Sequence, residues 1–481
     1  KPLTRGATTE HTLLNAGFNL LGTSLAAQEY WDNHRALDYL LTRKDIDPEH
    51  IGVYGSSGGG TQTAYYIGLD PRVKVAAICS FFSTREHTME LQGPSDGCQH
   101  IPYEGREQLE VPDFALMMAP RPLLILSGKY DFVDLWGAQQ GFAELQQCYK
   151  VLGVPEKVDM LTVETGHGLG AEKRQKLASW FKRWLKDNQS PVKKAAQDRF
   201  QLSDMLCTTK GQVNVSMPGA LSIMQENVNQ LDEWASKRET FLSKGKKTVQ
   251  TKMLDLLGLK GLPDHKIRIE ATGHDSMREY EQYKFQLIRE GEMPVPCILI
   301  MPSRANADSP IELRLQEEGK GTYLSEYANF AAALTEGKIL LLADLRGLGE
   351  TTDPAFYTDA KYWNREYRNA MISMHIGRPI MGQRVVDILT LLDFCSEHEL
   401  LKGHPVKVFA NGIYGPAVIH AAYLDERINS VEITHSVKTW KEYIEKPMQW
   451  DMYSNVLYGA LKYYDLPDLI RLSNRPIRFA D

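Results

Sequence analysis

The chain has 481 residues, more than one hydrophobic core accommodates, so two domains are expected. With 43% hydrophobic residues both can bury sizeable cores, and a net charge of −6 argues against nucleic acid or an anionic membrane as the main partner. No run of about 20 apolar residues occurs, which excludes a membrane-spanning helix.

The first informative element is Ile51 to Gly60. Ile51-Gly52-Val53-Tyr54 reads as a strand, Gly55-Ser56-Ser57-Gly58-Gly59 as a G-x-S-x-G turn, and a helix is expected from near Thr61. That is the sequence form of a nucleophile elbow, a tight turn that lifts a serine Oγ above a sheet edge. Glycines at 55 and 59 are expected where the strand and helix backbones come too close for side chains. Ser56 does not fit the centre of the motif, since Tyr54 would then stand where glycine is needed.

Residues 83–113, rich in Gly, Pro, Asp and His, read as a long insertion that shapes a substrate pocket or packs as a surface loop. Arg121-Pro122-Leu123-Leu124-Ile125-Leu126-Ser127-Gly128 follows as a buried parallel strand. It delivers Asp131 onto a loop; Asp134, further from the strand end, is the alternative acid, and Trp136 is either a pocket wall or core. Val158 to Val163 reads as the next strand and leads to Gly166-His167-Gly168. Lys173 to Lys186 is an amphipathic helix with Leu177, Trp180, Phe181, Trp184 and Leu185 on one face.

A serine hydroxyl is a poor nucleophile until an imidazole takes its proton, and the imidazole needs a carboxylate to hold its tautomer. The order Ser57, Asp131, His167 is the α/β-hydrolase order. The Gly58 N–H, directly after the serine, is the expected oxyanion donor.

Residues 10–187 resemble an α/β-hydrolase of the acetyl xylan esterase-like group, related to dienelactone hydrolase-like and prolyl oligopeptidase-like domains. The resemblance rests on Gly55-Ser56-Ser57-Gly58-Gly59, Ala119-Pro120-Arg121-Pro122-Leu123-Leu124-Ile125, Gly128 to Asp131 and Gly166-His167-Gly168. It implies a serine esterase on acetylated or similarly small esters, carbohydrate such as acetylated xylan among them, without a cofactor. It also implies a secreted or periplasmic setting. A prolyl oligopeptidase-like peptidase and a non-catalytic scaffold are the alternatives; no propeller-like repeat favours the peptidase.

Asn188-Gln189-Ser190-Pro191-Val192-Lys193-Lys194 marks the end of a first domain, 1–187. From 188 to 260 the pattern is mainly helical, Ser222 to Leu242 included, and reads as a connector; Lys244 to Lys252 is a solvated basic face. A second domain spans 261–481. Lys266 to Glu270, Glu281 to Glu290, Val295 to Met301, Ile311 to Leu315 and Ile339 to Ala343 read as its strands. The last runs into Asp344-Leu345-Arg346-Gly347-Leu348-Gly349-Glu350, which resembles the D-x-R-G-x-G-E loop of such esterases.

An internal repeat links the two. Shifting 22–78 by 355 residues onto 377–433 without gaps gives eleven identities over 57 positions, among them Gly22/Gly377, Asp38/Asp393, Asp70/Asp425 and Arg72/Arg427. The shift puts Gly412 in the place of Ser57, so the second copy is expected to be non-catalytic; neighbouring Asn411 and Tyr414 do not replace the serine. Pro476 to Asp481 corresponds to the strand before Asp131. The first copy lacks the front strands that precede the second, beginning at Lys1 near the equivalent loop. The 481 residues are therefore expected to be a piece of a longer tandem hydrolase, its first domain completed by a missing segment or a partner chain. Loss of one oxyanion donor from that front end would cost about 10²–10³ in kcat.

Six cysteines are scattered without a CxxC pair; Cys79 and Cys297 read as core thiols. Cys98 and His100 invite a metal reading, but no other ligand lies near them in the sequence, so no metal is expected. No phosphate-binding loop is present, the elbow lacking a Lys-Ser/Thr sequel.

Overall fold

The computed structural model describes residues 7–192, 200–354 and 361–480. Lys1, Lys193, Lys194 and Asp481, which figure in the reading above, lie outside them. The chain divides into two compact units, Lys1–Asn15 with Ser24–Ile223 and Ala16–Thr23 with Met224–Asp481. Of the helices between 188 and 260, Lys246–Leu256 and all but the first residue of Ile223–Leu242 fall in the second unit.

The first unit is built on four parallel strands, β1 (Gly52–Ser56), β2 (Val75–Cys79), β3 (Leu123–Gly128) and β4 (Val158–Val163), in the order β1-β2-β3-β4. Successive side chains of a strand point to opposite faces, so an uninterrupted apolar run serves a sheet covered on both sides. In β2, Ala76 and Ile78 face one core while Val75, Ala77 and Cys79 face the other. Leu123 and Ile125 of β3 join the first core; Leu124 and Leu126 join the second.

Its helices are the part of α1 (Ala7–Leu20) up to Asn15, α2 (Leu25–Leu41), α3 (Gly58–Ile67), α4 (Arg85–Gln92), α5 (Val111–Leu116), α6 (Leu135–Val151) and α7 (Ala171–Lys186). Leu177 and Trp180 of α7 are buried in the second core, with Phe181, Trp184 and Leu185 packed beside them, as the amphipathic pattern predicts. The Ala119-Pro120-Arg121-Pro122 run has a structural use: Arg121 donates to the carbonyls of Ile67, Asp70 and Val73 at 2.8, 2.9 and 2.6 Å, tying the end of α3 to the start of β3.

Three details differ from expectation. Helix α3 begins at Gly58, not near Thr61, because the elbow leaves no room for a longer loop. A Cβ at Gly55 would lie 2.0 Å from the Gly59 carbonyl oxygen and one at Gly60 2.7 Å from that of Cys79, whereas one at Gly59 meets nothing within 4 Å. Close approach therefore requires glycine at 55 and 60, not at 59. The 83–113 insertion holds α4, a 3₁₀ turn at Gly97–Gln99 and α5, and is not a plain loop.

The second unit has an eight-stranded sheet of β5 (Arg268–Ser276), β6 (Tyr280–Ile288), β7 (Val295–Pro302), β8 (Ile311–Leu315), β9 (Ile339–Ala343), β10 (Val406–Asn411), β11 (Ile428–Thr434) and β12 (Ile477–Phe479). The order is β12-β11-β10-β8-β9-β7-β6-β5. Antiparallel pairing joins β5, β6, β7 and β9, and parallel pairing the rest.

Several elements and backbone angles stand in the same order at positions 355 residues apart. The helices Ile380–Glu397 and Gly415–Leu424 correspond to α2 and α3, and β10 and β11 to β1 and β2. Unusual backbone angles recur too: φ is 74° at Gly22 and 73° at Gly377, 58° at Ser57 and 63° at Gly412, 50° at Ser80 and 52° at His435. Arg72 pairs with Asp38 and Asp70 at 2.5 and 2.6 Å, and Arg427 with Asp393 and Asp425 at 2.7 and 2.6 Å. Among the described residues, no helix is long and apolar enough to cross a membrane.

Candidate active site

Ser57 follows the last residue of β1 with φ 58° and ψ −123°, a conformation that L-residues adopt only when the surroundings impose it. Two hydrogen bonds fix it: the Ser57 N–H donates to the Cys79 carbonyl at 3.0 Å, and the Thr61 N–H donates to the Ser57 carbonyl at 3.0 Å. The Gly58 N–H stands at the first position of α3, where no intrahelical acceptor exists.

Asp131 comes from the loop after β3 and His167 from the loop after β4. The His167 Nδ1 donates to Asp131 Oδ1 at 2.7 Å, with the Asp131 side chain 1% and the His167 side chain 29% exposed. Burial pushes the Asp131 carboxyl up, but the bonds from His167, the Val133 N–H and the Ser80 hydroxyl outweigh it and hold the group below the usual carboxylate range. Because Nδ1 carries the shared proton, Nε2 is left as the basic nitrogen. Phe132 stacks on the imidazole at 4.2 Å between centroids. Among the described residues no hydrogen bond joins the Ser57 hydroxyl to His167; such bonds are often long without substrate.

Asp134 has a different task. It caps the N-terminus of α6, accepting the Gly137 N–H at 2.5 Å. Trp136 is 71% exposed, so it is not core. It stacks on His87 from the 83–113 insertion at 6.1 Å.

Sequence reasoning missed two residues that hold the histidine loop. Lys173, 1% exposed, donates from Nζ to the Gly168 carbonyl at 3.0 Å and to Ser80 Oγ at 3.3 Å. Ser80 Oγ in turn accepts the Gly168 N–H at 3.1 Å. A buried lysine inside a polar helix face carries no signal that separates it from a solvated one. Ser80 stands immediately after a buried strand, a weak cue at best.

The corresponding turn of the second unit is closed. A Cβ at Gly412 would lie 1.7 Å from Glu317 Oε2, and that oxygen accepts the Ile413 N–H at 3.1 Å. Arg365 approaches the same oxygen at 3.4 Å. The backbone donor that would face a developing oxyanion is thus taken by a carboxylate, and Tyr414 is fully buried.

Comparison with known proteins finds similarity over the first unit. Residues 21–188 match the model of the prolyl oligopeptidase family. This segment has the α/β-hydrolase fold, with the parallel sheet β1–β4 at its centre. YtaP of Bacillus subtilis (strain 168), described as a hydrolase, is 26% identical over 168 residues, 34% of this chain and 56% of that protein. The chain thus spans about half the length of this curated relative. A structure from Bacteroides fragilis NCTC 9343, assigned as an acetyl xylan esterase, is 13% identical with a TM-score of 0.42 over 51% of this chain and 68% of that one. Acetyl xylan esterase 1 from Thermoanaerobacterium sp. JW/SL YS485 is 14% identical with a TM-score of 0.36, over 49% of this chain and 77% of that one. A glucuronoyl esterase from Caldicellulosiruptor kristjansonii is 19% identical with a TM-score of 0.31, over 36% of this chain and 53% of that one.

Proposed function

We propose that the first unit is a serine esterase acting on small acyl esters of the acetyl type, borne on carbohydrate such as acetylated xylan. The observation that carries this reading is Ser57 at φ 58° on the turn after β1, with the His167–Asp131 pair at 2.7 Å on loops of the same sheet. Ser57 Oγ attacks the acyl carbonyl while His167 Nε2 takes its proton, and the Gly58 N–H stabilises the oxyanion. The alcohol leaves with the proton from Nε2. Water then attacks the acyl-enzyme, returning the acid and the free serine, so no cofactor is consumed.

The second unit is, on this reading, a tandem copy without catalysis. Support comes from the shared strand and helix order, the paired φ angles and the two Arg–Asp networks 355 residues apart. The family match to residues 21–188 also favours a peptidase reading of the same triad.

Hydrolysis of p-nitrophenyl acetate by this chain beside Ser57→Ala tests the proposal. Activity lost in the variant, with fluorophosphonate labelling lost as well, is the expected result. Equal rates in both would reject catalysis by Ser57. Acetylated xylan against a peptide ester then separates the esterase from the peptidase.

A further inference from the structure

Three side chains from distant parts of the first unit's sequence converge. His11 projects from α1, Glu29 from α2 and Cys98 from the 3₁₀ turn at Gly97–Gln99. His11 Nδ1 lies 3.2 Å from Cys98 Sγ and 3.7 Å from Glu29 Oε1, and the three donor atoms all fall within 4.8 Å of one another. His100, which stands near Cys98 in the sequence, accepts the Ser95 N–H at its Nε2, 2.9 Å away. The expectation that Cys98 has no ligand cluster around it is therefore overturned, because chain-distant helices bring one to it.

The spacing has a chemical meaning. Zinc bonds of 2.0–2.3 Å in a tetrahedron place neighbouring donor atoms about 3.3–3.8 Å apart. Both measured separations from His11 fall within about 0.1 Å of that window. The Cys98 thiol gains little from either neighbour as a hydrogen-bond partner, since S–H is a weak donor.

The second unit offers a contrast at the same relative positions. Residues 355 beyond His11 and Glu29 are Glu366 and Arg384, which form a buried ion pair at 2.5 Å. There a guanidinium supplies the positive charge internally. In the first unit the same place holds one acid, one imidazole and a thiol, with the charge left to be supplied.

We propose that His11, Glu29 and Cys98 bind one zinc(II) ion, its fourth position open to water. Mixed nitrogen, sulfur and oxygen donors within 4.8 Å of one another suit zinc better than magnesium or calcium, which take oxygen ligands in larger number. On binding, the Cys98 thiol releases its proton to solvent and the thiolate joins the metal. The ion would tie α1, α2 and the 83–113 insertion together.

The test uses the full chain, stripped with a chelator and titrated with zinc against a chromophoric competitor, then with cobalt(II). One zinc per chain is expected, with affinity reduced more than about 10²-fold in Cys98→Ser and His11→Ala and unchanged in Cys207→Ser, whose exposed thiol lies elsewhere. The cobalt form of the unsubstituted chain should show a thiolate charge-transfer band, lost in Cys98→Ser. Circular dichroism establishes that each variant is folded. No binding, no thiolate band in the unsubstituted chain, or binding that survives both ligand substitutions overturns the proposal. If a substituted chain does not fold, the cobalt spectrum of the unsubstituted one still decides, because the site requires thiolate ligation.

Discussion

Glu317 accepts the N–H of Ile413 at 3.1 Å and fills the space a side chain at Gly412 would need. On the tandem reading proposed above, the turn at Gly412 is blocked twice, by a missing hydroxyl and by a backbone donor already taken. Gly412→Ser is expected to leave the second unit inert: in a Ser57→Ala background it restores neither p-nitrophenyl acetate hydrolysis nor fluorophosphonate labelling. Its φ of 63° and the clash with Glu317 should cost about 1–3 kcal/mol, read as a lower denaturant midpoint. Labelling at residue 412 would show that Glu317 swings away and that the turn retains its donor.

Asp131 and Asp134 are three residues apart and have opposite expected phenotypes. Asp131→Asn removes the charge beside His167 and favours the wrong tautomer, so kcat should fall about 10⁴-fold with stability nearly unchanged. Asp134→Asn weakens and Asp134→Ala removes the α6 cap, and the alanine variant should cost about 0.5–2 kcal/mol while leaving kcat within a few-fold. Steady-state kinetics and urea unfolding on the same preparations read both. A collapse of kcat in Asp134→Ala alone would reverse the assignment.

Much of this arrangement is visible in the linear chain because it is local. A strand, a glycine turn and a helix within Ile51 to Gly60 are adjacent in sequence and in space, and the β8 and β9 runs Ile311–Leu315 and Ile339–Ala343 are bounded as read. The positions of Asp131 and His167 are legible for the same reason, each following a short apolar strand. What is not legible depends on contacts between distant segments. Glu317 lies 96 positions before Ile413, and Cys98 lies 87 after His11. Gly59 was expected to mark the close approach, yet Gly60 does, since the contact is to Cys79 on the neighbouring strand and not within the turn.

Lys173 is the positioning residue most open to test. Its ammonium holds Gly168, next to His167, through the Gly168 carbonyl and Ser80 Oγ. Lys173→Met keeps the aliphatic bulk but removes the donor, leaving the part-buried Gly168 carbonyl with one partner fewer. A loss of about 1–3 kcal/mol is expected from that group. Displacement of the histidine should lower kcat by about 10²-fold while KM changes little. Lys173→Arg, which retains a donor, should recover part of kcat; equal losses in kcat for both variants would point to packing instead.

His420 gives the second unit a specific acid sensitivity. Fully buried, it donates from Nδ1 to the Pro416 carbonyl at 2.6 Å and accepts the Tyr464 hydroxyl at Nε2, 3.1 Å away. Burial pulls its pKa down to about 4, only partly opposed by the Pro416 bond. The sign follows from linkage: between about 4 and the unfolded value near 6.5 the unfolded chain binds the proton and the folded one does not. Stability is therefore fully present above about 6.5 and falls as pH drops toward about 4, by about 3 kcal/mol in all. Thermal unfolding from pH 7.5 to 4.5, beside His420→Gln, isolates this contribution, because glutamine keeps a donor and an acceptor but does not titrate. A smaller decline in the variant is expected. Parallel curves would mean that the imidazole opens to solvent before it is protonated, and that other groups set the acid limb.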